Sequence, residues 1–366
     1  MAPDSQAPTR PSSTRRLRRL RRSAILAATL GRPRLRTAAV LGGLAATSAL
    51  AGCGRPTAMG EENSLIVVAD PGLWRQVEQD TYDALEPTLF TTRDEKKFNV
   101  THVAPDAPEL EQLLLWHQVV VLATPGDPLL DRIADAAGRD SLSPPEFFRV
   151  PNVWATGQAV TAVVLEPGRE AASLREMLPG IASALDAEYR AWALERMFVS
   201  GVDSALAEAL ADSLGFTLRV PRVYQHVFRE GGIVLIRNDN PDPAELIRSI
   251  LVQRRPPQDS VTTFEFAAWR SDIDSVQYNV PQSFELAPGS RRPISLDGAT
   301  GIEVRGTWRD EAAYPAGGLL IGRALRCPDA SYFIDAWLYS PNPRRSKWQF
   351  LMQLEEILDS FRCANP

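Results

Sequence analysis

Ser64-Leu-Ile-Val-Val-Ala69-Asp70-Pro71-Gly72 is the stretch of sequence that decides the fold. Its first six residues form a compact apolar run rich in β-branched side chains, which predicts a buried strand. Asp70-Pro71-Gly72 then turns the chain, and Asp70 is placed to cap a helix that begins there. From Leu73 to Leu85 the apolar positions fall near helical spacing, so the sequence predicts a strand followed at once by a helix.

Strands and helices continue to alternate after this unit. The runs 98–103, 119–123 and 150–165 predict strands, with helical patterns between them. Helical patterns also fill 170–214, with predicted interruptions at Pro179-Gly180 and Ser200-Gly201, and Gly215 is a helix stop. This order predicts a mixed α/β layer domain over residues 64–215.

The pattern changes after residue 215. Residues 244–252 predict a helix, residues 344–361 predict a closing helix, and the polar stretch 258–300 shows no clear period. The second half, 216–366, is therefore predicted to be an α+β domain in which helices flank an antiparallel sheet. Five runs have the composition of its strands: 216–220, 233–237, 301–308, 317–326 and 332–340.

An export signal precedes the folded part. Nine arginines between Arg15 and Arg36 form a basic region, and the apolar run that follows is shorter than the ~20 residues of a membrane-spanning helix. The run ends in Leu50-Ala51-Gly52-Cys53, which resembles the lipobox of bacterial lipoproteins at all four positions. That resemblance implies a signal peptide over 1–52 and acyl chains on Cys53, which would anchor the protein to a membrane. An ordinary cleavage site with a chance cysteine, or an uncleaved helix, is the alternative.

The residues after the lipobox predict a short tether and a location. Residues 53–63 are mostly polar and lead into the first strand. Gly54 follows the cysteine where an aspartate would favour the inner membrane, so we expect the outer membrane, with the protein facing the periplasm.

The charge of the mature chain excludes some classes of partner. Residues 1–52 hold ten of the 40 basic side chains and one of the 45 acidic ones, which leaves a net charge of −14 on the rest. Such an acidic body argues against nucleic-acid binding. It is also repelled by anionic lipid heads, so acyl chains and not charge would hold it at a membrane.

Two cysteines, Cys327 and Cys363, remain after Cys53. In an exported protein two such cysteines often form a disulfide, which here would join the end of a strand to the last helix. Two unpaired thiols are the alternative.

No catalytic motif is present, and we predict no cofactor and no metal site. His102, His117 and His226 share no metal-ligand spacing with each other or with a cysteine. Asp70 lies at the carboxyl end of a predicted strand, where α/β enzymes often place working groups, but a helix cap explains it as well.

Two groups in the second half are candidates for binding. Glu303, Arg305 and Asp310, with Trp308, either line a cleft or form a charged strand face. The basic group Arg344, Arg345 and Lys347 stands out on an acidic body, and with Trp308 it is a candidate interaction face. A solvated first turn of a helix is the alternative for the basic group, and packing in the core is the alternative for Trp308.

Several segments in order resemble a bacterial envelope lipoprotein family that is classed as a domain of unknown function. They are Asp70-Pro-Gly-Leu-Trp74, Phe216-Thr-Leu-Arg-Val-Pro221, Glu303-Val-Arg-Gly-Thr-Trp308 and Ala336-Trp-Leu-Tyr-Ser-Pro341. The C-terminal half is also similar to the photosystem PsbP-like fold, whose members mostly serve as assembly or interaction modules. Both resemblances imply a protein without a catalytic reaction.

We therefore expect a lipid-anchored envelope protein that acts as a non-catalytic binding or assembly factor, with a membrane and an envelope protein as partners. A periplasmic hydrolase that uses Asp70 and a histidine is the alternative, and a purely structural component is a third.

Overall fold

The computed structural model describes residues 55–91, 95–278, 281–312, 315–343 and 345–364, with the backbone alone at 274 and 275. Its strands in chain order are β1 (Ser64–Ala69), β2 (Thr88–Leu89), β3 (Glu95–Lys96), β4 (Asn99–Val103), β5 (Gln118–Ala123), β6 (Glu146–Pro151), β7 (Ala159–Val164), β8 (Phe216–Thr217), β9 (Gln225–Arg229), β10 (Ile233–Asn238), β11 (Ile247–Arg255), β12 (Gln282–Leu286), β13 (Arg292–Leu296), β14 (Ala299–Asp310), β15 (Gly317–Arg326), β16 (Ser331–Tyr339) and β17 (Arg362–Cys363). Its helices are α1 (Pro71–Leu85), α2 (Leu110–Leu113), α3 (Pro128–Ala136), α4 (Glu170–Met197), α5 (Ser204–Leu214), α6 (Thr263–Gln277) and α7 (Trp348–Asp359).

The first half forms three layers around β1. The sheet has the strand order β4-β1-β5-β7-β6, parallel except for the antiparallel pair β6 and β7. Successive side chains of β1 point to opposite faces. Leu65 and Val67 pack with α1 and α4, while Ile66 and Val68 pack with α2 and α3. A strand buried on both faces needs apolar residues throughout, as this one has.

Helix α4 continues where we predicted a break. It runs through Pro179 and Gly180 as one helix of 28 residues, so the predicted interruption there is wrong. Leu174, Leu178 and Ile181 are buried on one stripe against the sheet and α1. The burial of this stripe outweighs the local cost of a proline inside the helix.

The second half is built on a large antiparallel sheet. Its strand order is β12-β14-β15-β16-β11-β10-β9, and β13 pairs with the other part of β14. Strand β11 lies where we predicted a helix over 244–252, so that prediction is wrong. It pairs with β10 and β16, and Ile250, Leu251 and Val252 are buried on alternate faces. A continuous apolar run of this kind does not distinguish a central strand from a buried helix.

The segment 258–300, which showed no clear period, supplies α6, β12 and β13. Phe266, Trp269 and Ile273 of α6 pack on Ala324 and Phe333 of the sheet. The close approach of this helix requires Gly322, because a Cβ there would lie 2.1 Å from the ring of Phe266. Helix α6 thus covers the face of the sheet that α5 and α7 leave open.

Helix α7 is buried on more than one side. Leu351, Leu354 and Ile357 pack on the large sheet together with α5. Met352 belongs to the core of the first half, and Gln353 Nε2 donates to the carbonyl of Ala193 in α4 at 3.2 Å. The helix therefore contacts both halves of the described chain.

The predicted fold class, an α/β layer followed by an antiparallel sheet flanked by helices, is confirmed. The boundary at residue 215 stays a prediction; α5, which precedes it, packs on the large sheet through Leu206, Leu210 and Leu214. Among the described residues no helix has the length and apolar character needed to cross a bilayer.

Glu303 is fully buried and surrounded by arginines. Its carboxylate contacts Arg323 at 2.7 Å, Arg292 at 2.8 Å and Arg305 at 3.0 Å, and Arg323 also contacts Asp359 of α7. Burial by itself would raise the pKa of Glu303, but the charges of the three arginines together hold that pKa below its ordinary value. This residue therefore lines neither a cleft nor an exposed strand face: its carboxylate lies among arginines of β13, β14 and β15, and two of these, Arg305 and Arg323, also contact α7.

Cys327 and Cys363 form a disulfide, with their Cα atoms 5.8 Å apart. Cys327 follows β15, and Cys363 belongs to the short strand β17 after α7, which pairs with β8. The bond closes a loop across a separation of 36 residues and ties the chain end to the large sheet.

We predict that Glu303→Gln lowers the free energy of unfolding at neutral pH by about 3 kcal/mol, because the buried Arg323 loses a charge partner. The lowered pKa of Glu303 means that its ionic contribution is complete above pH 4.5 and is lost as the pH falls through its folded-state pKa. Urea denaturation as a function of pH should therefore show the two proteins converging in acid. Glu285→Gln, on the exposed face of β12, is the control and should change stability by less than about 0.5 kcal/mol. An unchanged stability of Glu303→Gln would contradict the assignment.

We also predict that replacing Cys327 and Cys363 together by serine lowers the free energy of unfolding by roughly 3–4 kcal/mol, because the unfolded chain regains the freedom of the open loop. Reduced wild-type protein should match the double variant in denaturant titrations. Equal midpoints for the oxidised protein and the double variant would show that the loop constraint has no effect.

Candidate functional site

A crevice opens at the carboxyl ends of the parallel strands. Strand β1 has β4 on one side and β5 on the other, so the direction of chain progression reverses beside it. Open α/β sheets bind ligands outside the strand ends at such a switch point. The crevice has a volume of about 420 Å³, and its lining includes Asp70, Leu73, Leu122, Thr124, Asp127, Leu165 and Glu170.

The carboxylates of this crevice already accept hydrogen bonds at the helix starts. Asp70 Oδ1 accepts two N–H groups in the first turn of α1, at 2.7 and 3.1 Å. Asp127 Oδ1 caps α3 in the same way, at 2.9 and 3.3 Å. Glu170 Oε1 accepts the N–H of Gly168 at 2.8 Å, which lowers the pKa of Glu170. At the starts of α1 and α3 an anionic ligand would meet a capping carboxylate instead of free N–H groups, and Glu170 adds a third negative charge.

The histidines are engaged elsewhere. His102 Nε2 lies 3.0 Å from the carbonyl oxygen of Ala69, and its ring stacks on Trp74 with centroids 4.5 Å apart. His117 Nδ1 lies 3.2 Å from the carbonyl oxygen of Gly157, and its Nε2 lies 3.5 Å from Glu62. In the described residues no hydrogen bond joins Asp70 to either histidine, so the pairing that the hydrolase alternative requires is not formed. His226 lies on the exposed edge strand β9. The described residues also contain no group of three His, Cys, Asp or Glu side chains arranged to hold a metal ion.

The structure describes three of the four residues of the predicted interaction face. Arg344 lies outside the described residues. Lys347 is buried, with its Nζ 2.7 Å from Glu95, and Trp308 is buried with its Nε1 donating to the carbonyl of Leu338 at 3.2 Å. Arg345 is half-buried and lines a cavity. Lys347 and Trp308 therefore act in the packing of the fold and present no exposed surface.

The predicted lipobox and Cys53 also lie outside the described residues. The chain is described from Arg55 onward, and the predicted tether 53–63 is tied to the body over much of its length. Ala58 donates to the carbonyl of Thr156 at 2.9 Å, and Met59 donates to that of Leu115 at 3.0 Å.

Arg345 lines what we call the arginine cavity, a second opening of about 490 Å³ between the end of α4, the β10–β11 connection and the start of α7. Arg196, Arg248 and Arg345 contribute its charged side chains, and no carboxylate is among its lining residues in the described chain. Its other lining residues include Val199, Val223, Tyr224, Asn240, Phe350 and Gln353.

Arg248 is the buried group of this cavity. Only 8 % of its surface is exposed. Nη1 donates to Gln353 Oε1 at 3.1 Å and Nη2 donates to the carbonyl of Asn240 at 3.0 Å, while the rings of Tyr224 and Phe350 lie within 6 Å. No carboxylate among the described residues forms an ion pair with it, and burial lowers the pKa of Arg248. Burial of an unpaired charge costs several kcal/mol, so the sequence keeps an expensive group at this position.

Sequence reasoning missed this cavity because it assigned a helix to 244–252. On a helix an arginine beside Ile247 and Ser249 is ordinary, whereas on a central strand it must be buried. The sequence did contain a signal for a buried charge, an arginine within an apolar run. That signal can be recognised only when the run is known to be a strand.

Comparisons with known proteins establish no family. No family model matches the chain, and no curated protein matches it. The family resemblance noted in the sequence therefore stays an expectation.

Three solved structures are similar to part of this chain. PsbP of the cyanobacterium Synechocystis (CyanoP) has 12% identity and a TM-score of 0.27 over 40% of this chain and 85% of its own. LpqN of Mycobacterium tuberculosis, described as involved in cell envelope biogenesis, has 14% identity and a TM-score of 0.26 over 41% of this chain and 83% of its own. A protein of Bacteroides thetaiotaomicron has 7% identity and a TM-score of 0.25 over 41% of this chain, and the match spans less than half of that protein, 46%.

We predict that Asp70→Ala lowers the free energy of unfolding by about 1 kcal/mol, since α1 loses the acceptor at its N-terminus. Asp70→Asn and Asp70→Ser should keep most of the stability, because both side chains retain an oxygen that can cap the helix. Thermal or urea unfolding measures the difference, and Asp127→Ala at the start of α3 is the matched comparison. If Asp70→Asn is as unstable as Asp70→Ala, the cap does not explain this residue.

Proposed function

We propose that this protein is a lipid-anchored component of the cell envelope that acts as a non-catalytic binding factor. The single observation that supports it best is the docking of the segment directly after the lipobox. The carbonyl of Pro56 accepts the N–H of Thr156 at 2.8 Å, three residues after Cys53. Three residues span at most roughly 10 Å. An acyl chain on Cys53 would therefore hold the body at the bilayer with almost no free tether.

This docking also indicates which ends of the parallel strands would face the membrane. Residues 115, 117 and 156, to which the segment hydrogen bonds, precede β5 and β7 at the amino ends of the parallel strands. The crevice with Asp70 opens at the carboxyl ends of these strands. Anchored in this way, the protein would hold the amino ends of its parallel strands near the membrane. The crevice at their carboxyl ends would then face away from the membrane.

The polar contacts of the crevice support binding more than catalysis. A general acid or base must be free to reach a substrate proton. Asp70 and Asp127 accept backbone N–H groups of their own helices, and His102 contacts the carbonyl oxygen of Ala69. His117 precedes β5, at the opposite ends of the strands. The outer membrane is the proposed location, on the ground of Gly54 after the lipobox.

We expect wild-type protein from its native cells to fractionate with membranes and to carry a lipid-modified Cys53, as mass spectrometry of the N-terminal peptide will show. Cys53→Ser removes the thiol that would be alkylated, so its N-terminal peptide should carry no acyl mass. Thr57→Ser, a conservative change outside the lipobox, is the control and should keep the modification. A lipid-modified N-terminus in Cys53→Ser would refute the anchor.

Cross-linking in cells separates a binding factor from a purely structural component. A photoreactive residue in place of Thr124, in the crevice, should capture a defined partner or ligand repeatedly. The same residue in place of Phe264, which is 81% exposed on α6, serves as the control surface. Equal and unspecific capture at both positions would favour the structural component.

A further inference from the structure

The buried arginines of this chain differ in their partners. Among the described residues three arginines are buried: Arg248, Arg270 and Arg323. Arg270 lies 3.2 Å from Asp335, and Arg323 lies 2.7 Å from Glu303. Arg248 contacts an amide oxygen and a backbone carbonyl, neither of which carries a charge. The arginine cavity therefore contains a buried guanidinium that no carboxylate of the described residues contacts. The carboxylate of Asp239 attracts it without a salt-bridge contact and pairs with Arg237 at 2.6 Å.

Unused hydrogen-bond donors accompany this charge. Arg248 Nε, Arg345 Nη1 and the hydroxyl of Tyr224 are buried without a hydrogen-bond partner in the described protein. All three residues line the arginine cavity. Burial raises the pKa of Tyr224 to about 12, so its hydroxyl keeps its proton and can donate. Other buried donors of this chain, such as Arg149 Nε and Arg323 Nη1, also lack a hydrogen-bond partner in the described protein, but these three line one cavity. Buried donors are normally satisfied by a partner.

Arg345 adds charge at the same place. Its partner Glu245 lies 3.2 Å away and is 57% exposed, so solvent weakens the pair. Two guanidinium groups and a phenol hydroxyl match the oxygens of a phosphate or carboxylate group, which accept several hydrogen bonds at once.

The mouth of the cavity is apolar. Val199 is 89% exposed and Val223 is 38% exposed, although both are large hydrophobic residues. They lie beside Met197, Leu246 and Phe350 in the lining. Exposed apolar surface next to a buried charge fits a ligand that has a charged end and a hydrocarbon end.

The arginine cavity is also close to the segment that follows the lipobox. Arg345 lines a neighbouring shallow groove together with Glu61 and Asn63 of that segment. A body anchored through Cys53 would hold this region near the acyl chains of a bilayer.

We propose that the arginine cavity binds an amphiphilic anion, with a phosphate or carboxylate group on Arg248, Arg345 and Tyr224 and an alkyl chain along Val199 and Val223. This inference extends the proposed binding function to a second site and names its ligand class. It does not depend on the crevice at Asp70, and the cavity is part of the folded body whether or not Cys53 is acylated.

Photoaffinity labelling of the full protein in phosphatidylcholine vesicles tests the proposal. The probe is a medium-chain alkyl phosphate with a diazirine at the far end of its chain, and mass spectrometry identifies the labelled peptides. We expect labels on the peptides that contain Val199 and Val223. The matched alcohol, which lacks the phosphate, should label them at least about tenfold less, and excess inorganic phosphate should compete only weakly because it lacks the chain.

Variants identify the groups that bind. Arg248→Gln should reduce the labelling at least about tenfold, and Arg254→Gln, an exposed position on the same strand, should leave it unchanged. Val199→Asp adds a negative charge at an exposed position, so it should reduce labelling without affecting the fold. Unfolding curves of each variant establish that the protein is intact.

The outcomes are distinct. Equal labelling by the alcohol and the phosphate, or unchanged labelling in both Arg248→Gln and Val199→Asp, would overturn the proposal. Competition by inorganic phosphate at the probe's own concentration would refute the alkyl part of the ligand. A photoreactive phosphatidic acid placed in the vesicles distinguishes the source: labelling by it identifies a membrane lipid, and labelling by the free probe alone identifies a soluble amphiphile. Loss of acylation in wild-type protein would refute the anchor and would leave this test unaffected.

Discussion

Helix α7 is the element on which the two halves of this protein depend. Its Leu351 and Leu354 pack on the large antiparallel sheet, while Met352 enters the core beside the parallel sheet. A helix buried on more than one side loses the freedom to shift along either surface, since each contact holds the other in register. The polar contacts agree with this position: Gln353 reaches the backbone of α4, and Asp359 reaches Arg323 in the large sheet.

The buried charged residues of the second half also hold neighbouring elements in place. Glu303 and Arg323 face each other across β14 and β15, and Asp335 contacts Arg270 and Tyr278 on the opposite face of the sheet. Each set joins the sheet to a helix, α7 on one face and α6 on the other. A buried charge is tolerated where such partners exist, because the attraction and the hydrogen bonds offset the lost hydration. Arg248 has no such partner in the described protein, and this difference distinguishes the arginine cavity from the structural ion pairs.

The two openings of the protein have opposite chemistry. The crevice at the carboxyl ends of the parallel strands has two aspartates that cap α1 and α3, so the first-turn N–H groups of these two helices already have acceptors. The arginine cavity has cations and unused donors, although residues 53–366 together carry a net charge of −14. Because the surrounding negative surface repels anions, an anionic ligand would be attracted at this positively charged cavity and not elsewhere around it.

The sequence alone determined the elements whose pattern is local. The apolar run Ser64–Ala69, the aspartate after it and the alternation that follows predicted β1, its capped helix and the α/β layer, because a strand buried on both faces and a helix cap each leave a mark within a few residues. The runs 301–308 and 317–326 predicted two neighbouring strands of the large sheet for the same reason.

Only the tertiary structure decided the rest. Ile247–Arg255 is a strand because β10 and β16 pair with it on both sides, and α4 continues through Pro179 because its apolar stripe is buried against the sheet. Neither contact is visible in a window of sequence, since the partners are distant in the chain. The burial of Lys347 and Trp308 has the same origin, and so does the convergence of Arg248, Arg345 and Tyr224 from three separate segments. A side chain acquires its neighbours only when the elements that carry it have packed.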